Sequence, residues 1–189
     1  RMGCMGQSSM NKNYKECFDR GDKYENFVYP ILREEWGVNM IPHKTQSTQL
    51  KGENSFGIEI KFDEKSIKSP NLFIEYKERR EKDDGTLSTW EWSGIYRGDY
   101  FEDNSWLYLI GNYDIFYIFL KKRLKDLHSS NKYYEARGKT VDGNETSMGF
   151  LLPKIDAKTL ALDVINIKKT PNETEQLDFD YLTPIPDHI

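Results

Sequence analysis

The chain has 189 residues, of which 37% are hydrophobic and 31% charged, with a formal net charge of -4. Its 10 Phe, 12 Tyr and 4 Trp supply enough bulk for a core, which excludes an intrinsically disordered chain. No apolar run approaches the roughly 20 residues that cross a bilayer, and Cys4 and Cys17 alone can build neither a disulfide scaffold nor a four-ligand zinc site.

Residues 1–12 lack the long apolar core of a secretory signal and read as a disordered leader or an expression remnant, so an intracellular protein is expected. From Asn13 onward apolar residues recur at helical spacing: Tyr14, Phe18, Tyr24, Phe27, Val28, Ile31 and Leu32. Gly21 interrupts the pattern and Gly37 is a stop signal, which predicts a helix of at least Asp22 to Trp36, kinked at Pro30. Pro42 to Asn54 reads as polar loop. Phe56 to Asp63 then alternates strictly, with Phe56, Ile58, Ile60 and Phe62 on one face. Leu72 to Lys77 alternates as well, after Ser69-Pro70-Asn71, and the two runs predict an antiparallel hairpin.

Trp90 to Tyr100 is mixed and aromatic. Trp106 to Ile110 and Ile115 to Phe119 are strand candidates joined by the turn signal Gly111-Asn112-Tyr113-Asp114, and Leu120 to Leu127 continues as a short basic helix. Apolar runs follow at Phe150 to Leu152 and Leu160 to Ile167. Residues 170–189 form an acidic tail with five acids and no Lys or Arg. With no internal repeat, residues 13–169 are expected to form one α+β domain.

Strand parity organises the candidate chemistry. If the core faces of the hairpin coincide, Glu59, Lys61, Asp63, Glu75 and Lys77 crowd together on its other side. Facing carboxylates destabilise a fold unless a cation lies between them, and hard oxygen ligands suit Mg²⁺ or Mn²⁺. The plainer alternative is a solvated outer face with cross-strand ion pairs.

Glu75-Tyr76-Lys77 at the end of an apolar strand, with an acid upstream, resembles the PD-(D/E)xK nuclease superfamily. Gly21-Asp22-Lys23-Tyr24-Glu25 is similar to that family's G-x-x-x-E helix segment. The resemblance spans roughly the first 120 residues. It implies a restriction-endonuclease-like αβββαβ core, a central mixed sheet with flanking helices, and Mg²⁺- or Mn²⁺-dependent endonuclease activity on double-stranded or branched DNA. It further implies Glu75 as a metal ligand, Lys77 as the residue positioning the attacking water, and Glu25 as an additional ligand. The upstream acid departs from the family's Pro-Asp: Asp63 is the better residue type, Glu59 is better placed across the ladder, and both stand. A restriction-like or phage recombination enzyme implies the cytoplasm of a bacterial or phage-infected cell, no membrane partner, and a homodimer where both strands are cut.

Lys121 to Lys139 carries seven basic residues against Asp126 and Glu135, which makes Lys121, Lys122 and Arg123 candidate DNA contacts. Trp90, Trp92 and Trp106 could stack on bases, although large aromatics near strands more often fill cores. His43, His128 and His188 are isolated, and Gly138-Lys139-Thr140 lacks the leading glycine and strand of a phosphate-binding loop. The competing expectation is a nuclease-like fold used as a DNA- or protein-binding module, favoured mildly by the acidic net charge.

Overall fold

The computed structural model describes residues 12–41, 54–82, 84–100, 104–140 and 143–167. The expected leader, the acidic tail and the loop after Pro42 lie outside them, apart from Lys12 and Asn54 at their borders. In chain order the elements are α1 (Lys12–Trp36), β1 (Ile58–Phe62), β2 (Asn71–Glu78), β3 (Glu91–Trp92), α2 (Arg97–Tyr100), β4 (Leu107–Gly111) and β5 (Ile115–Leu120). They continue with α3 (Lys121–Ser129), β6 (Glu135–Lys139), β7 (Glu145–Pro153), α4 (Lys154–Leu160) and β8 (Asp163–Asn166), and 3-10 turns occupy Glu64–Ile67 and Gly94–Tyr96. The class is α+β, as expected.

In α1, Tyr24, Val28 and Leu32 form one fully buried stripe. The helix runs through both Gly21 and Pro30. Pro30 lies on the exposed side, where water can satisfy the carbonyl that its ring deprives of a donor. Gly37 closes the helix in the left-handed conformation (φ 65°), its N–H donating to the Arg33 carbonyl at 3.0 Å.

Among the described residues the strands form two four-stranded sheets, ordered β1-β4-β5-β8 and β3-β2-β7-β6. This corrects two expectations. The hairpin of the first two strands does not form: β1 runs parallel to β4, with Ile58 opposite Leu107, while β2 pairs antiparallel with β7 and β3 in the other sheet. A single central sheet is likewise replaced by two. Alternation specifies which face of a strand is apolar, and says nothing about which strand lies beside it.

The first sheet is covered on both faces. Ile58, Ile60, Leu107, Leu109, Phe116 and Ile118 pack beneath the α1 stripe. Tyr108, Ile110, Tyr117 and Phe119 meet Leu72, Ile74, Tyr76, Phe150 and Leu152 of the second sheet, with Leu124 of α3 and Ala157 of α4 closing the ends. Each such fully buried side chain contributes about 1.5–3 kcal/mol relative to exposure. The layers are therefore helix, sheet, sheet. Among the described residues no helix is long and apolar enough to cross a membrane.

Candidate functional site

The double coverage of the first sheet decides what happens to the polar face of β1. Ile58 and Ile60 point to α1, so Glu59 and Lys61 point to the opposite side, which is not solvent. Glu59 is 1% exposed. Lys61 approaches its Oε1 at 3.1 Å and Lys121, the first residue of α3, approaches its Oε2 at 2.6 Å. Both Glu59 oxygens are buried and have no other hydrogen-bonding partner among the described residues. Lys121 is itself buried and donates to Ser105 Oγ at 2.5 Å. The expected DNA-facing trio thus loses a member: Lys121 serves Glu59 inside the protein, and only Lys122 and Arg123 are exposed.

Glu75, on β2 of the other sheet, feels the charges of both Lys61 and Glu59. Its Oε1 accepts from Ser93 Oγ at 3.0 Å. Ser93 is held there by the next residue: Gly94 adopts φ 50°, and a Cβ on it would lie 2.2 Å from the Glu75 carbonyl oxygen. Burial pushes the Glu75 carboxyl above its ordinary value. Lys61 pulls it down, Glu78 and Glu59 add to the rise, and the net direction is upward.

Lys61 is the common neighbour of four carboxylates. It pairs with Glu59 and acts electrostatically on Glu25, Glu75 and Glu78. The Glu25 carboxyl, from α1, is also raised, chiefly by burial, against a hydrogen bond from the Tyr29 hydroxyl at 3.3 Å. At Glu78 burial works upward, but the Arg80 hydrogen bond together with Lys61, Arg80 and Arg97 holds the carboxyl below its ordinary value.

Glu78 joins this group because β2 is bulged. The register against β7 shifts between Glu75 and Lys77, so strict alternation ends there. Lys61 acts electrostatically on both Glu75 and Glu78, whereas Lys77 lies over the Trp92 ring at 4.1 Å and acts on His128. His128 itself is lowered by burial, against Glu135, and sits 4.2 Å from the Tyr76 ring. The Glu75-x-Lys77 pair read from sequence is therefore split. In its place stand Glu75 and Lys61, contributed by different sheets.

Asp63 is also drawn away from Glu75. It follows the last residue of β1 and caps the 3-10 turn: Oδ1 accepts the Ser66 N–H at 3.1 Å and Oδ2 the Phe73 N–H at 3.1 Å. Burial raises its carboxyl despite these bonds and the nearby Lys154 and Lys65. Of the two upstream acids, Glu59 is the one whose charge acts on Glu75.

Sequence reading named Glu25, Glu59 and Glu75, each of which pairs with Lys61 or feels its charge, and left out Glu78 and Ser93. The short pairing of β2 with β3 brings Ser93 to Glu75, and nothing in the local pattern of either segment signals that contact. Among the described residues no three His, Cys, Asp or Glu side chains are arranged to hold a metal ion together. Trp90 and Trp92 are each covered by a cation, Arg79 at 4.4 Å and Lys77 at 4.1 Å. Trp106 is half exposed, with its indole N–H on the Phe56 carbonyl.

No protein-family model matches the chain, and neither a curated protein nor a solved structure is detectably similar to it.

Proposed function

We propose that the protein is a metal-dependent deoxyribonuclease acting on double-stranded or branched DNA, with its chemistry in the cluster around Lys61. The observation that supports this reading is that Lys61, 3.1 Å from Glu59 of one sheet, also acts electrostatically on Glu75 of the other. Carboxylate oxygens are the donors a hard divalent cation takes, and Glu59, buried with both oxygens lacking a hydrogen-bond donor among the described residues beyond the two lysines, could supply one ligand. Glu59 and Glu75 would hold Mg²⁺ or Mn²⁺ as a pair, no third His, Cys, Asp or Glu among the described residues being arranged with them, and Glu59 takes precedence over Asp63 as the upstream acid. Bound there, the ion would supply an activated water and charge stabilisation on the phosphoryl oxygens.

The remaining work falls to the chain itself. Ser93 orients Glu75, Lys121 holds Glu59, and the exposed Lys122 and Arg123 contribute phosphate contacts. The order α1, β1, β2 with an acid on each supports the same proposal, although the two strands lie in different sheets and not in the one central sheet of a restriction-endonuclease-like core. A cytoplasmic setting and a dimer for double-strand cleavage belong to it as well.

A second reading has its own support. Glu59 already has two ammonium partners, so the cluster also works as a buried ion-pair network in a catalytically silent binding module. Glu75→Gln separates the two. As an enzyme the variant loses cleavage of plasmid DNA by a factor of about 10² or more while its melting temperature holds or rises, because repulsion among carboxylates is relieved. Unchanged cleavage, or none in the parent with Mn²⁺ present, favours the module.

A further inference from the structure

The second sheet continues past the core it helps to form. Phe150 of β7 is buried against the first sheet, and Met148, two residues before it, shares its face. Lys77 of β2 and Arg137 of β6 lie directly opposite Met148, one on each side, and Trp92 of β3 lies opposite Lys77. Directly paired residues point the same way, so one row crosses all four strands: Trp92, Lys77, Met148, Arg137. Two residues further out, Trp90 and Arg79 repeat it, with the Arg79 guanidinium 4.4 Å from the ring. Arg137 and Lys139 both reach the Glu145 carboxylate, at 2.6 Å and 3.8 Å, which keeps Lys139 on this face too. None of these side chains is fully buried, and Arg137 and Lys139 are exposed.

We propose that this face binds a single strand of DNA, with Trp90 stacking on a base and Lys77, Arg79, Arg137 and Lys139 holding phosphates. Among the described residues, these four cations share the face with two acids, Glu135 and Glu145, in a chain whose net charge is -4. Positive charge is thus concentrated where the sheet is open. Rings interleaved with cations suit a single strand, because its bases offer their faces for stacking while a duplex hides them. The two tryptophans differ in role. Trp92 is wedged among Lys77, Tyr76 and Tyr96 and fixes the ammonium in place. Trp90 is backed by Arg79, whose Nε donates to the Glu145 carbonyl at 2.6 Å. That bond holds ring and guanidinium together before a ligand arrives, which lowers the ordering cost of binding. Lys77, parted from Glu75 by the bulge, serves binding here and not the chemistry.

The test is binding of a fluorescein-labelled oligothymidylate of about 15 nucleotides to the full chain, without divalent metal, read by anisotropy across a salt series. The parent should bind it, and more tightly than a duplex of the same length. Trp90→Ala should weaken binding about tenfold or more, and Trp90→Phe should restore most of the loss. Lys139→Gln should lower the salt slope by about 0.7, one phosphate contact on a single strand. Lys68→Gln removes the same charge at an exposed position off this face and should match the parent. Should Trp90→Ala fail to fold by circular dichroism, the slopes of Lys139→Gln and Lys77→Gln carry the test. No binding by the parent, tighter binding of the duplex, or a Lys139→Gln slope equal to that of Lys68→Gln overturns the proposal. The nuclease reading is untouched by any of these results, since plasmid cleavage by Glu75→Gln with Mn²⁺ present tests it separately.

Discussion

Glu59 is the second residue of β1 and Asp63 lies just beyond its last, and the two carboxylates are put to opposite uses. Asp63 is satisfied by backbone: two N–H groups from the turn and from the start of β2 take one oxygen each. Those donors cannot leave without dismantling the chain's path. Glu59 is satisfied by side chains, two ammonium groups on flexible stems. A carboxylate whose partners are amides is architecture. One whose partners are ammonium ions keeps the capacity to change them. The same division separates neighbours at the start of α3, where Lys121 is buried against Glu59 and Lys122 faces solvent.

The comparison breaks most visibly at Glu59. Glu59→Gln keeps the shape but leaves Lys121 in the interior without its counter-charge, and should cost about 3–5 kcal/mol in urea unfolding. A loss below about 1 kcal/mol would mean that Lys121 relaxes to solvent and that the pair is not a fixed part of the fold. Asp63→Ala should cost about 2 kcal/mol, the sum of a lost cap and one stranded N–H. Its Mn²⁺ affinity is the sharper readout, since a tenfold fall would return Asp63 to the metal site alongside Glu59. The smallest effect belongs to the exposed pair. Neutralising Lys122 and Arg123 together should lower the salt dependence of DNA binding by up to about two units of slope, one per lost phosphate contact, without moving stability. An unchanged slope places DNA on another face.

Some of this was legible in the sequence. The α1 stripe and its Gly37 stop follow from period and terminator, and the β4–β5 hairpin from two apolar runs around Gly111 to Asp114. Alternation in β1 correctly put Glu59 and Lys61 on the face away from Ile58. It could not reveal that a second sheet covers that face, because a strand's pattern reports on itself and not on its neighbour. The bulge in β2 was invisible for a related reason: Glu75, Tyr76, Lys77 and Glu78 are all ordinary strand residues, and the register shift arises from pairing with β7. Lys121 read as one more cation in a basic run, since nothing local says that a helix begins with its first residue buried. β6, polar and largely exposed, carried no apolar signal at all.

The pairing of β1 with β4 also sets an order of assembly. β4 and β5 are joined by a tight turn, as β6 and β7 are nearly adjacent, and such hairpins close in microseconds. β1 must instead find β4 across the whole of β2 and β3, and β2 must find β7 from still farther along the chain. Loop-closure entropy delays both events. Glu59 and Glu75 ride on those two late strands, so the carboxylates stay apart, and solvated, until most of the apolar core has already collapsed. Their mutual repulsion then arises only after the rate-limiting step, and substitutions that relieve it should change the unfolding rate far more than the folding rate.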